Sequence, residues 1–171
     1  MKRVILFSMM MMMTIASFGR NHVNENATVV ADTIFYSADL MNVNSRSDAS
    51  YYRVLMTAGK GLQKRDVFQD FYLNGTLRAE GGYNFIDLGN DKNTVLNGAV
   101  TTYYPNGNEK WHGKYVNGKR EGYFTLQMRN GGVATVQFVG GKSKYDYFVV
   151  TMPDGQMQKR PISEIKSLLN I

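Results

Sequence analysis

Cysteine is absent from the chain, which removes disulfide staples, thiolate nucleophiles and thiolate metal ligands together. Histidine is nearly absent: His22 and His112 are the two present, and no His-x-x-x-His pair or His/Cys cluster exists to hold zinc or iron. Proline is scarce, with 3 residues, against 17 glycines, 11 tyrosines and 9 phenylalanines. That balance excludes a proline-rich linker protein and favours many short aromatic strands joined by glycine-containing turns. Long apolar runs are missing as well, save one at the N-terminus, and no other stretch would span a membrane. The formal charge is +6. Without Lys2 and Arg3 it is 18 basic against 14 acidic residues, mild and interspersed, so no nucleic-acid partner is expected.

The N-terminal run has the make-up of a secretory signal. Lys2 and Arg3 precede the apolar stretch Val4 to Ile15, and Ala16-Ser17-Phe18-Gly19 supplies small residues for cleavage. The run falls short of the ~20 residues that a spanning helix needs. Residues 1–19 are therefore expected to be a signal peptide, 20–32 a flexible mature N-terminus, and the protein to be exported to the periplasm, the outer-membrane surface or the medium of a bacterium. Peripheral membrane contact is left open.

Downstream, residues 33–73 read as leading strands. Thr33 to Tyr36 is short, and Ser50 to Ala58 and Leu62 to Leu73 form a hairpin around Gly59-Lys60-Gly61. From Asn74 to about residue 160 a repeat takes over. Gly107, Gly131 and Gly155 each follow Asn or Asp and are separated by 24 residues, while Asn74-Gly75 precedes Gly107 by 32. The extra eight residues form a longer loop, Phe85 to Asn97. The same step aligns Val100, Phe124 and Phe148, then Thr102, Leu126 and Val150, then Tyr104, Met128 and Met152, with Phe68 and Tyr72 extending two rows backwards. These positions alternate, as a sheet with one buried face requires. Residues 161–171 carry Ile162, Ile165, Leu168 and Leu169 at helical spacing behind Ser163, so a short helix capping the sheet is expected. The fold class read from this pattern is all-β, an elongated antiparallel sheet of successive hairpin repeats.

The best copy is YYPNGNEKWHGKYVNGKREGYFTL, Tyr103 to Leu126. It resembles the MORN repeat in its bacterial variant, built on Tyr-Tyr-x-Asn-Gly, Gly-x-Tyr-x-x-Gly-Lys and a further Gly before an aromatic strand. The resemblance covers roughly Asp70 to Gly155, about three and a half copies, and residues 33–73 look like the leading segment of secreted Bacteroidetes-type proteins that carry such repeats. The third copy departs from the pattern at Val139-Gly140-Gly141 and at Asp146. The resemblance implies a single-layer sheet that serves as an interaction or scaffold module, and some bacterial variants are labelled antitoxins.

Sites for chemistry are thin. Serines lie in polar connections without a Gly-x-Ser-x-Gly elbow, and the Gly-Lys pairs lack P-loop spacing. Asp66, Asp70, Glu80, Asp87 and Asp91 read as scattered surface charge. Trp111, Tyr115 and Phe124 are expected in the core. Lys110, His112 and Lys114 alternate to the opposite face, joined there by Tyr103 and Tyr123, and these five are the candidate binding residues. The expectation is a non-enzymatic module of the cell envelope with no cofactor and no metal, binding an unidentified envelope protein or peptide through the exposed face or the long loop. The alternatives are an envelope glycan- or lipid-surface binder, a hydrolase using Glu109 or Glu121, and an immunity or antitoxin protein.

Overall fold

The computed structural model describes residues 27–30 and 33–165. The expected signal peptide lies outside them, as do Leu168 and Leu169. The strands are β1 (Thr28–Val29), β2 (Ile34–Tyr36), β3 (Asn42–Val43), β4 (Tyr51–Ala58), β5 (Arg65–Tyr72), β6 (Leu77–Phe85), β7 (Val95–Tyr103), β8 (Glu109–Val116), β9 (Lys119–Gln127), β10 (Val133–Val139), β11 (Lys142–Ser143), β12 (Tyr147–Thr151) and β13 (Met157–Pro161). All join one antiparallel sheet in the order β13-β12-β10-β9-β8-β7-β6-β5-β4-β2-β3, with β1 beside β4 and β11 beside β10. From β4 to β10 each strand pairs with its sequence neighbour, so the all-β, successive-hairpin expectation holds.

Four turns share one design, dictated by an Asx-Gly pair. In each, the glycine takes a positive φ of 81 to 86° (Gly75, Gly107, Gly131, Gly155), a region that costs other residues strain. The preceding Asn74, Asn106, Asn130 or Asp154 accepts a bond from the backbone N–H two residues on, at 3.0 to 3.1 Å, which fixes the turn locally. These four turns are the glycines of the 32, 24 and 24 spacing. Asn117-Gly118 closes the β8–β9 hairpin with φ of 48° and 76°, the mirror-image turn that suits strand twist.

One face of the sheet carries the core. Phe68, Val100, Trp111, Tyr115, Phe124, Leu126, Val136, Phe138, Phe148 and Val150 are buried in a single cluster. The aromatic rings tile over glycine: a Cβ on Gly113 would lie 2.5 Å from the Phe124 ring, and Phe124 meets Trp111, Tyr115 and Phe138 at centroid distances of 5.7, 5.5 and 5.1 Å. Burying one such ring is worth about 3 kcal/mol. Tyrosines then tie neighbouring repeats together. The Tyr72 hydroxyl donates to the Tyr103 carbonyl and the Tyr104 hydroxyl to the Gln127 carbonyl, both at 2.9 Å.

Three expectations need correction. The segment expected to be mobile contributes β1, Thr28 and Val29 pairing with Thr57 and Met56, and Ala27 packs on a small second core of Met56, Ala58 and Val67 on the opposite face. At the other end Pro161 closes β13, because its register against Tyr147 continues the β12 ladder. Among the described residues of the expected helix, Ile162–Glu164 forms a 3-10 turn without a side-chain N-cap, and Ile162 and the fully buried Ile165 pack on the core; residues 166–171 lie outside the described residues. The long loop is shorter than expected, since Phe85 and Val95 pair with each other. Residues 86–94 between them are docked onto the leading strands. Asn42 N–H donates to Gly89 O (2.9 Å) and Asp91 N–H to Leu40 O (2.8 Å), and the Tyr36 hydroxyl reaches Asp87 O at 3.3 Å.

Candidate functional site

Beneath the docked loop lies a cluster of buried charge. Arg53 of β4 and Asp70 of β5 are cross-strand partners, paired at 2.6 and 2.9 Å. Asp91 enters from the loop to meet Arg53, one of its oxygens accepting from the Tyr51 hydroxyl at 2.6 Å and the other from the Thr94 hydroxyl at 2.7 Å. Arg78 reaches Asp70 at 3.2 Å and lies 4.1 Å over the Tyr51 ring. A cavity of about 300 Å³ adjoins the cluster. Burial works against the charge of Arg53, but Asp70 and Asp91 outweigh it and raise its pKa further. Burial also opposes Asp91, yet Arg53 and the Tyr51 hydroxyl hold that carboxyl below its usual range. For Asp70 burial is the larger influence and pushes the carboxyl up, with the two guanidiniums pulling against it. Burial, offset in part by Arg53, pushes the Tyr36 phenol up to about 12. Two cations against two carboxylates, bonded in closed loops, describe a structural clasp for the loop.

A different arrangement occupies the face opposite the aromatic core. Register places Gln69, Glu80, Thr101, His112 and Thr125 in one row across β5 to β9. Glu80 is only 6% exposed and accepts from the Tyr103 hydroxyl at 2.7 Å and from the Gln69 amide at 3.2 Å. Burial, reinforced by Glu80, raises the Tyr103 phenol well above its ordinary value. His112 Nδ1 lies 2.5 Å from Glu109 Oε1, and its Nε2 lies 2.9 Å from the Thr125 hydroxyl. Of these groups Glu80, Thr101, Tyr103, Glu109 and His112 line an open groove of about 1270 Å³, lined also by Asn108, Gln127 and the turns at Pro105-Asn106 and Arg129-Gly131.

Of the five candidate binding residues, Tyr103 and His112 line this groove. Lys114 and Tyr123 share the face but lie outside it; Lys114 is the cross-strand partner of Glu121, and Tyr123 is 65% exposed. Lys110 is a correction. A register shift opposite Thr102 and Tyr103 makes it the extra residue of a β-bulge, which breaks the alternation that would carry it outward. It is half-buried, and burial, with the charge of Arg78 behind it, pushes its ammonium below the ordinary value. Arg78 is the bulged residue of the preceding repeat, 32 positions earlier, so both cations belong to the core side.

The acidic residues also sort differently from the expected scatter. Asp70, at 1% exposure, and Glu80 are buried. Glu109 lines the groove, whereas Glu121 accepts from the Gly140 N–H at 2.8 Å, so the two carboxylates of the best repeat do not converge on one substrate position. Glu80, Gln127 and Arg129 went unrecognised in the sequence; their common signal is the repeat register, which puts Glu80 in the row of His112. A second outward patch is built from Tyr145 and Tyr147, stacked at 5.1 Å, with Lys144 and Lys159 over the two rings. Among the described residues no three His, Asp or Glu side chains are grouped to hold a metal ion, and no helix is long and apolar enough to cross a membrane.

Comparison with protein-family models, with characterised proteins and with solved structures finds no match to the chain.

Proposed function

We propose that the chain is an exported, non-enzymatic binding module of the bacterial cell envelope, and that its partner lies in the groove between Glu80 and Arg129. The observation that carries this reading is the contrast between the faces. The core side is filled by the protein's own aromatic rings apart from the smaller cavity beside the Arg53 cluster, whereas the opposite side keeps a groove whose polar groups are already oriented by one another, Glu109 by His112 and Glu80 by Tyr103. A preoriented polar surface lowers the ordering cost of binding. The groove carboxylates are engaged in holding neighbouring side chains, which favours recognition over proton transfer. Export is supported by the basic and apolar N-terminal run, and a scaffold role by the resemblance to MORN repeats.

Photo-crosslinking in the native host tests this. A photoreactive residue at His112 or Gln127 is expected to capture an envelope component that the same residue at Lys159, on the far edge strand, does not. Capture at Lys159 alone would place the binding surface at the edge and overturn the assignment to the groove.

A further inference from the structure

The groove selects among ligand classes, and we infer that it binds a neutral oligosaccharide. This rests on the reading of the groove as the binding face. Three features of the site converge on that class.

The groove lies on the face of the sheet, where the backbone groups of β7, β8 and β9 are already paired with neighbouring strands. An extended peptide lying here would gain no main-chain hydrogen bonds of the kind an open edge gives, and would depend on side chains alone. A sugar makes no such demand.

The polar groups offered are planar and two-pronged. The Glu109 carboxylate and the Asn108 and Gln127 amides each present a pair of atoms that matches adjacent hydroxyls, and a hydroxyl both donates and accepts. Flat apolar surface beside them comes from Pro105 and the Tyr103 ring, suited to the C–H face of a sugar ring.

Charge excludes an acidic ligand. On the groove lining the carboxylate of Glu109 faces the cation Arg129 and already binds His112, so an acidic sugar would meet no surplus of positive charge there. The lining runs from Glu80 on β6 to Gly131 just beyond β9, about 15 Å at ordinary strand spacing, which favours several linked residues over one.

The test is a glycan array probed with the full chain, spanning neutral gluco-, manno-, galacto- and N-acetylhexosamine series together with uronic-acid and sulfated glycans. Hits are followed by calorimetry on the wild type, Glu109→Gln, Gln127→Ala and Lys144→Ala. The expected result is a neutral oligosaccharide whose affinity falls about 10-fold or more in Glu109→Gln and Gln127→Ala. It should be unchanged in Lys144→Ala, with circular dichroism and melting temperature preserved throughout. A silent array, binding confined to acidic glycans, or affinity that survives both groove substitutions overturns the inference. If the array is silent while His112 crosslinks to a polypeptide, only the ligand class is wrong. If the groove positions also fail to crosslink, the assignment of the binding face falls with it.

Discussion

Arg53 grips Asp70 with two parallel bonds, Nε to Oδ1 at 2.6 Å and Nη2 to Oδ2 at 2.9 Å, and both side chains are almost completely removed from solvent. Such a pair contributes little net stability relative to a well-packed apolar one, but losing one partner strands a charge in a low-dielectric site. Asp70→Asn should therefore destabilise the protein by about 3–5 kcal/mol, read as a lower urea midpoint. Substituting an exposed carboxylate such as Asp154, which only orders its own turn, should cost about 1 kcal/mol or less.

The docked loop should loosen in acid. Asp91 is held below the usual carboxylate range in the folded state, so its contribution is complete above its unfolded pKa and is lost as pH falls through the folded value, below about pH 4. Asp87 shifts in the same direction, through bonds from Asn93, Gly89 and Asn90. Asp70, pushed up by burial, works with the opposite sign and cannot supply this acid loss. Hydrogen exchange over residues 86–94 should accelerate between pH 5 and pH 3 relative to β8 and β9. Asp91→Asn should show fast exchange in this loop already at pH 6 and a flatter pH response. Equal acceleration across the whole sheet would disprove a local release.

Gly113→Ala should destabilise, against the usual expectation that alanine improves a strand glycine. The new methyl would sit 2.5 Å from the Phe124 ring, and overfilling of this kind costs about 1–3 kcal/mol. Phe124→Leu should lower stability by itself yet recover part of the loss when combined with Gly113→Ala. Strict additivity in that double-mutant cycle would mean that the ring and the glycine are not coupled.

The tyrosine ties stop one repeat short. Tyr72 and Tyr104 each bond to a carbonyl of the following repeat, and the equivalent third position is Met128, with Thr151 O as the equivalent acceptor by the 24-residue step. Tyr72→Phe and Tyr104→Phe should each cost about 1 kcal/mol. Met128→Tyr should raise the melting temperature if the tie forms, and a lowered one would show that the thioether packs better than a ring.

The turns and the core were legible because their causes are local. An Asx-Gly pair builds its own turn, and alternation assigns Phe124 and Trp111 to one face without reference to the rest of the chain. Lys110 was misassigned because a bulge adds one residue to a strand without changing its composition, and everything before the bulge then changes face. The Arg53, Asp70 and Asp91 cluster was illegible for another reason. Its members are 17 and 38 residues apart, and the loop that brings Asp91 inward has the polar composition of any exposed connection. Glu80 shows the middle case: its position in the row was recoverable from the repeat register, but its burial depends on how Tyr103 and Gln69 close over it.

The neighbour-to-neighbour order of β4 to β10 also governs how the molecule responds to force. Tension along the chain would load the ladder at its outermost hairpin and peel it one strand at a time, since no long parallel pairing resists in shear. Refolding should correspondingly proceed hairpin by hairpin, because the strand partners from β4 to β10 are sequence neighbours. Residues 86–94, fastened to 36–42 and to Arg53, interrupt that order. They make the leading strands a mechanical stop, at which peeling from the C-terminal side should stall before the last hairpin opens.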